Sequence, residues 1–142
     1  MDLNDAIRLE VSWKVRFQHA IRSGDPLYVE IIARDDCCEF GRWLYQQAIA
    51  LHGALPHFQP CVDTHALFHA QAARVAQAIN DRRIEDAERL LAPGEAYSQA
   101  AEAVAEAIGR LKRSISLSGR PAALVPALVP ALLPAGALGA AR

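Results

Sequence analysis

Net charge is almost absent from this sequence: 15 Lys and Arg against 16 Asp and Glu leave −1 over 142 residues. Sequence-independent binding to nucleic acid draws on a basic excess that displaces counterions, so nucleic acid is not expected as a partner. Cysteine is scarce as well. Cys37, Cys38 and Cys61 are odd in number and two are adjacent. Adjacent cysteines rarely pair with each other, which argues against a disulfide framework. The opening Met1-Asp2-Leu3-Asn4-Asp5 has neither a basic stretch nor an apolar one, so no secretory signal is predicted. A reducing, cytoplasmic setting follows as the expectation, and there cysteines serve as ligands, nucleophiles or inert core residues. No segment alternates apolar and polar residues with period two, so no strand is expected. No internal repeat occurs outside the C-terminal stretch.

What the chain does have is 52% hydrophobic and 22% charged residues, enough for one folded domain with a real core. From Asn4 to about Ser23 the spacing predicts a helix. Leu3, Ile7, Glu10, Lys14, Phe17 and Ile21 form its inward stripe, widened by Val11 and Val15. Asn4 or Asp5 would cap it, and Gly24-Asp25-Pro26 would end it. A second helical region runs from Leu27 to His52 with a break near Asp35-Asp36. A third, capped by Asp63-Thr64, reaches Asn80 and turns Val62, His65, Phe68, His69, Ala72, Ala76 and Ile79 inward. A fourth runs from Arg83 to Leu117, interrupted at Pro93-Gly94. The expected fold is all-α, an antiparallel four-helix bundle over residues 1–117.

From Ser118 the character changes. Residues 118–142 are rich in Ala, Leu and Pro, with prolines at 121, 126, 130 and 134. The run is apolar enough to suggest a membrane span. Each proline, however, removes a helical hydrogen bond at roughly 3 kcal/mol in a helix interior, and lipid-exposed backbone must be bonded internally. A disordered tail is predicted rather than a span.

Chemistry concentrates in three places. His65 and His69, four apart, share one helix face, where two imidazoles can reach one metal ion. They also lie on an otherwise apolar stripe, and buried imidazoles need partners. Cys38 heads Cys38-Glu39-Phe40-Gly41-Arg42-Trp43; its thiolate is a strong zinc ligand, although a lone cysteine also reads as a small buried hydrophobe. Gly41 would remove a side chain beside it, and Trp43 would roof it. Glu10 on the first inward stripe needs a cation. Lys14, one turn on, would supply one, or Glu10 would ligate the same metal. The sequence holds no HExxH motif, no Ser-His-Asp pattern and no phosphate-cradling Gly loop, and a small bundle leaves little room for substrate, so no enzyme is expected.

Trp13-Lys14, Cys38-Glu39-Phe40-Gly41-Arg42-Trp43 and His65-Ala66-Leu67-Phe68-His69, in this order and spacing, resemble the chemoreceptor zinc-binding (CZB) domain family. The likeness extends from Asp5 to Leu117. It implies a four-helix bundle that binds zinc through three histidines and one cysteine. Cys38, His65 and His69 carry over directly. The family's first histidine, three residues before the Trp, is Glu10 here. The fourth ligand is therefore Glu10, His52, His57 or water; His19, nine residues from Glu10, faces nearly the other way. Such domains are often fused to methyl-accepting chemotaxis receptors or diguanylate cyclases, where they report zinc or an oxidant that attacks the thiolate. The resemblance thus implies a zinc-binding sensory domain of bacterial signal transduction. It would act in trans, as a homodimer or docked on a chemoreceptor or diguanylate cyclase. The alternative is a metal-free bundle that serves as an interaction module.

Overall fold

The computed structural model describes residues 1–119, and among them it is all-helical. The expected disordered tail therefore lies, from residue 120 on, outside the described residues. Helix α1 (Leu3–Ser23) is followed by the single turn α2 (Val29–Ile32) and a bend carrying Cys37 and Cys38. Next comes a broken helical stretch: α3 (Glu39–Trp43), a π-helical turn (Leu44–Ala48) and α4 (Ile49–His52). In the π turn the Ile49 N–H donates to the Leu44 carbonyl, five residues back. Then come α5 (Phe58–Asn80), the short α6 (Ile84–Leu90) and α7 (Ala96–Ser118).

The predicted breaks are where the sequence places them, and their causes are local. Gly24 ends α1 at φ 75°, its N–H donating to the Ala20 carbonyl at 2.8 Å. Gly94, at φ 82°, turns the chain between α6 and α7. Three expectations need correction. Helix α1 is capped by Asp2, whose carboxylate accepts from the Asn4 N–H at 2.8 Å, not by Asn4 or Asp5. Helix α5 begins at Phe58 rather than at Asp63-Thr64, because Pro60 falls in its first turn, where a missing N–H costs nothing. Val11 and Val15 do not widen the inward stripe of α1; they are 57% and 63% exposed, while Leu3, Ala6, Glu10, Phe17 and Ala20 are buried.

Three long helices organise the core. Helix α7 runs antiparallel to α1: the Lys112 ammonium donates to the Asn4 side chain at 2.7 Å, and the rings of Phe17 and Tyr97 meet edge-on at 5.7 Å. Helix α5 runs in the same direction as α1. Near its end the Asn80 side chain accepts from the Leu27 N–H at 2.9 Å and donates to the Leu27 carbonyl at 2.7 Å. Phe17, Phe40, Leu44, Phe68, Val75, Tyr97, Val104 and Ile108 fill the space between the helices. Each such side chain contributes about 1.5–3 kcal/mol by leaving water. Among the described residues no helix is long and apolar enough to cross a membrane.

Candidate metal centre

Only three polar or charged residues are buried among the described residues: Glu10, His65 and His69. They converge with Cys38. One ligand atom from each of the four lies within 4.8 Å of the others. Two come from α5, whose regular turns set His65 and His69 one above the other, their Nε2 atoms 3.1 Å apart. Glu10 comes from the buried face of α1, its Oε1 3.4 Å from His65 Nε2. Cys38 sits at the N-cap of α3, its Sγ 3.3 Å from the same His65 Nε2.

Local contacts fix these side chains. The Gly41 N–H donates to Cys38 Sγ at 3.1 Å, holding the sulfur as the cap of α3. Gly41 also allows the close approach of chain segments: a Cβ there would lie 1.6 Å from the Asp35 carbonyl oxygen and 3.1 Å from His65 Cε1. His69 Nδ1 donates to the Ile32 carbonyl at 2.7 Å, which leaves its Nε2 lone pair facing the cluster. Phe40 packs edge-on against His65 at 5.0 Å. Trp43 stacks on Phe40 at 5.9 Å rather than roofing the four donors.

Hydrogen bonding alone does not explain this arrangement. A neutral imidazole nitrogen donates one proton or accepts one, yet His65 Nε2 faces sulfur, nitrogen and carboxylate oxygen at once. Glu10 Oε2 and His65 Nδ1 are buried with no hydrogen-bond partner. Zinc takes nitrogen or oxygen at about 2.0–2.2 Å and sulfur at about 2.3 Å, so the edges of a tetrahedral donor set are about 3.3–3.6 Å long. The separations of 3.1, 3.3 and 3.4 Å around His65 Nε2 approach those edges. The donor set also suits a borderline-soft divalent ion: one thiolate, two imidazoles and one carboxylate.

The electrostatics agree. Burial pushes the Cys38 thiol up, but hydrogen bonds with His65 and His69 outweigh it and bring the thiol down to about 6. Burial lowers His65, while Cys38 and then Glu10 raise it, to about 9. His69 is opposed by burial and raised by Cys38 and the Ile32 carbonyl. Cys61, fully buried and facing the Glu10 charge, is pushed up to about 12 and stays a thiol. Tyr97, whose buried hydroxyl has no partner, is also raised by burial and then by Glu10.

The other sequence candidates stand elsewhere. His52 lies 6.3 Å, ring to ring, from Trp43, and His57 precedes α5; neither is among the gathered donors. His19 is exposed and faces Asp25 at 3.8 Å. Among the described residues Glu10 makes no ion pair with Lys14; its carboxylate faces His65 instead. The Ile32 carbonyl that orients His69 carried no signal in the sequence, since any residue supplies a carbonyl.

The family model described as the chemoreceptor zinc-binding domain matches residues 10–76, which contain all four gathered donors. Comparison with curated proteins and with solved structures finds no match. The resemblance read from the three motifs is therefore shown over this segment, and the Glu/Cys/His/His cluster fits a variant of a zinc site. The matched family is one of zinc-binding signalling domains with a regulatory, non-catalytic role.

Proposed function

We propose that residues 1–117 form one zinc-binding sensory or regulatory domain in which Cys38, His65, His69 and Glu10 hold Zn²⁺. In this reading the region from Leu27 to His52, broken near Asp35-Asp36, is the second of the four helices of an antiparallel bundle. The observation that carries it is the convergence of three donor atoms of different chemistry on His65 Nε2. Bound there, zinc would act as a Lewis acid that keeps the Cys38 sulfur a thiolate. The chain's own groups prepare for it. The Ile32 carbonyl orients His69, the Gly41 N–H steadies the sulfur, and Glu10 brings the fourth donor. One thiolate and one carboxylate make the loaded centre neutral, 2 − 1 − 1 = 0, against +1 for a cysteine and three histidines. The domain senses zinc, or an oxidant that attacks the thiolate, and acts in trans, as a homodimer or docked on a chemoreceptor or diguanylate cyclase of a bacterial cytoplasm.

The test is elemental mass spectrometry of protein purified without added metal, with Cys38→Ala beside it. About one zinc per chain, lost in the variant, is expected for a site of this donor set. No zinc, even after loading and dialysis against a weak chelator, overturns the reading. One observation favours a second reading, a metal-free helical interaction module. His65 Nε2 lies 3.3 Å from Cys38 Sγ and 3.4 Å from Glu10 Oε1, so a protonated His65 pairs with either anion without an ion, at a net −1 + 1 − 1 = −1 for the three.

A further inference from the structure

The four donors are not sealed in. A cavity of about 250 Å³ opens beside them, lined by Glu10 and Cys38 together with Trp13, Arg16, Cys37 and Arg42 among others. Glu10 is buried and Cys38 half-buried, so these two mark its inner end. Arg16 and Arg42 are exposed and mark its mouth. Its volume admits a small organic molecule to Cys38 and Glu10, two of the four donors.

The mouth has a definite charge. Neither Arg16 nor Arg42 makes an ion pair among the described residues, so no neighbouring carboxylate neutralises either charge. The Arg16 guanidinium is held over the Trp13 ring, 5.0 Å from its centroid, and Trp13 is itself part of the cavity wall. Glu39 is the one exposed carboxylate in the lining, so the rim carries two positive charges against one negative, and with zinc bound the Glu10 and Cys38 charges at the inner end are cancelled, 2 − 1 − 1 = 0. Such a rim repels a free divalent cation and draws in anions. A guanidinium pair also matches the planar oxygens of a carboxylate.

We infer that this cavity is an entry site for small carboxylate-bearing anions, and that such anions are the carriers that deliver zinc to the four donors and take it away. The inference rests on the zinc reading above. In the exchange, coordinate bonds to the protein are replaced by bonds to the chelator's carboxylate oxygens. No electron is transferred, and the freed sulfur and imidazoles take protons from solvent. Cys37, on the same lining and half-exposed, is placed to hold the ion in passage.

The experiment compares zinc removal by nitrilotriacetate, an anion, with removal by phenanthroline, which is neutral, from wild type and from the double variant Arg16→Gln/Arg42→Gln. Both arginines are exposed, and an unchanged zinc content of the variant shows that the site is intact. The expected result is a roughly tenfold slower removal by nitrilotriacetate in the variant, with the phenanthroline rate unchanged. Equal effects on both chelators, or none, overturn the inference while the zinc reading stands. A chain that binds no zinc overturns the carrier role together with that reading. Access is then judged on metal-free protein carrying Cys37→Ser. The wild-type arginines should give Cys38 a higher ratio of iodoacetate to iodoacetamide alkylation than the double variant, whose lining has lost both positive charges. A ratio that does not move overturns the anion site as well.

Discussion

The four donors stand on two unlike supports. His65 and His69 project from the middle of α5, 23 residues of unbroken helix with eleven buried positions. Cys38 stands at the head of a five-residue helix, after an irregular bend and before a π turn. The first support is set by the chain's hydrogen-bonding period and by a core packed along its whole length. The second is set by a few contacts: the Gly41 N–H to sulfur, the Asp35 carbonyl against Gly41, and Phe40 against His65. A long helix holds its donors through its repeating hydrogen bonds; the Cys38 segment depends on each of these few contacts. The difference makes the Cys38 segment the support that rests on single contacts, with α5 as the regular one.

That contrast is broken most severely at its common point. His65→Ala removes the atom on which the other three donors converge, and zinc retained after dialysis should fall from about one per chain to background. Elemental analysis reads it directly, and retention of zinc would show that the cluster is not the site. The supports are compared next through their glycines. Gly41→Ala forces a methyl into the Asp35 carbonyl, which cannot yield without moving the bend, so a loss of about 3 kcal/mol is expected. Gly109→Ala in α7 meets only the end of Arg113 at 3.6 Å and should gain about 0.5–1 kcal/mol. Denaturant melts of the metal-free variants would reverse the comparison if Gly41→Ala left the midpoint in place.

The third test changes the donor from α1. Glu10→His raises the loaded centre from 0 to +1, and hypochlorite should then oxidise Cys38 more slowly because the sulfur is less electron-rich. An equal or faster reaction of the zinc-loaded histidine variant would dispose of this account. The smallest effect concerns protons. In metal-free protein the rate of Cys38 alkylation by iodoacetamide should climb through about pH 6 and level off near neutrality. Cys61, whose thiol is held up to about 12, stays unreactive over the same range. Peptide mapping by mass spectrometry separates the two. A Cys38 profile with its midpoint near that of an ordinary thiol would mean that its imidazole neighbours do not act on it.

How much of this was legible beforehand follows the same division. The pairing of His65 with His69 follows from spacing, and the buried face of α5 follows from the recurrence of apolar residues at three and four. The break near Asp35-Asp36 and the place of Cys38 ahead of a glycine were legible too. What no pattern revealed was the π turn at Leu44–Ala48, which adds one residue to a turn without any proline or glycine to announce it. The cap of α1 was misplaced because Asp2, Asn4 and Asp5 all suit the role, and only the path of the backbone decides among them. Glu10 was legible as a carboxylate in need of a partner. That it would meet His65 rather than Lys14 depends on how α1 packs beside α5, a long-range fact.

Trp43 stacks on Phe40, and Phe40 packs edge-on against His65. The indole is thus two van der Waals contacts from the cluster, with the His52 imidazole on another side. Trp13, the other tryptophan, sits on α1 against Phe17, 5.6 Å from ring to ring. The protein therefore carries an intrinsic optical gauge. A shift of the Cys38 segment alters the emission of Trp43, and Trp43→Phe separates that signal from the emission of Trp13 without any attached dye.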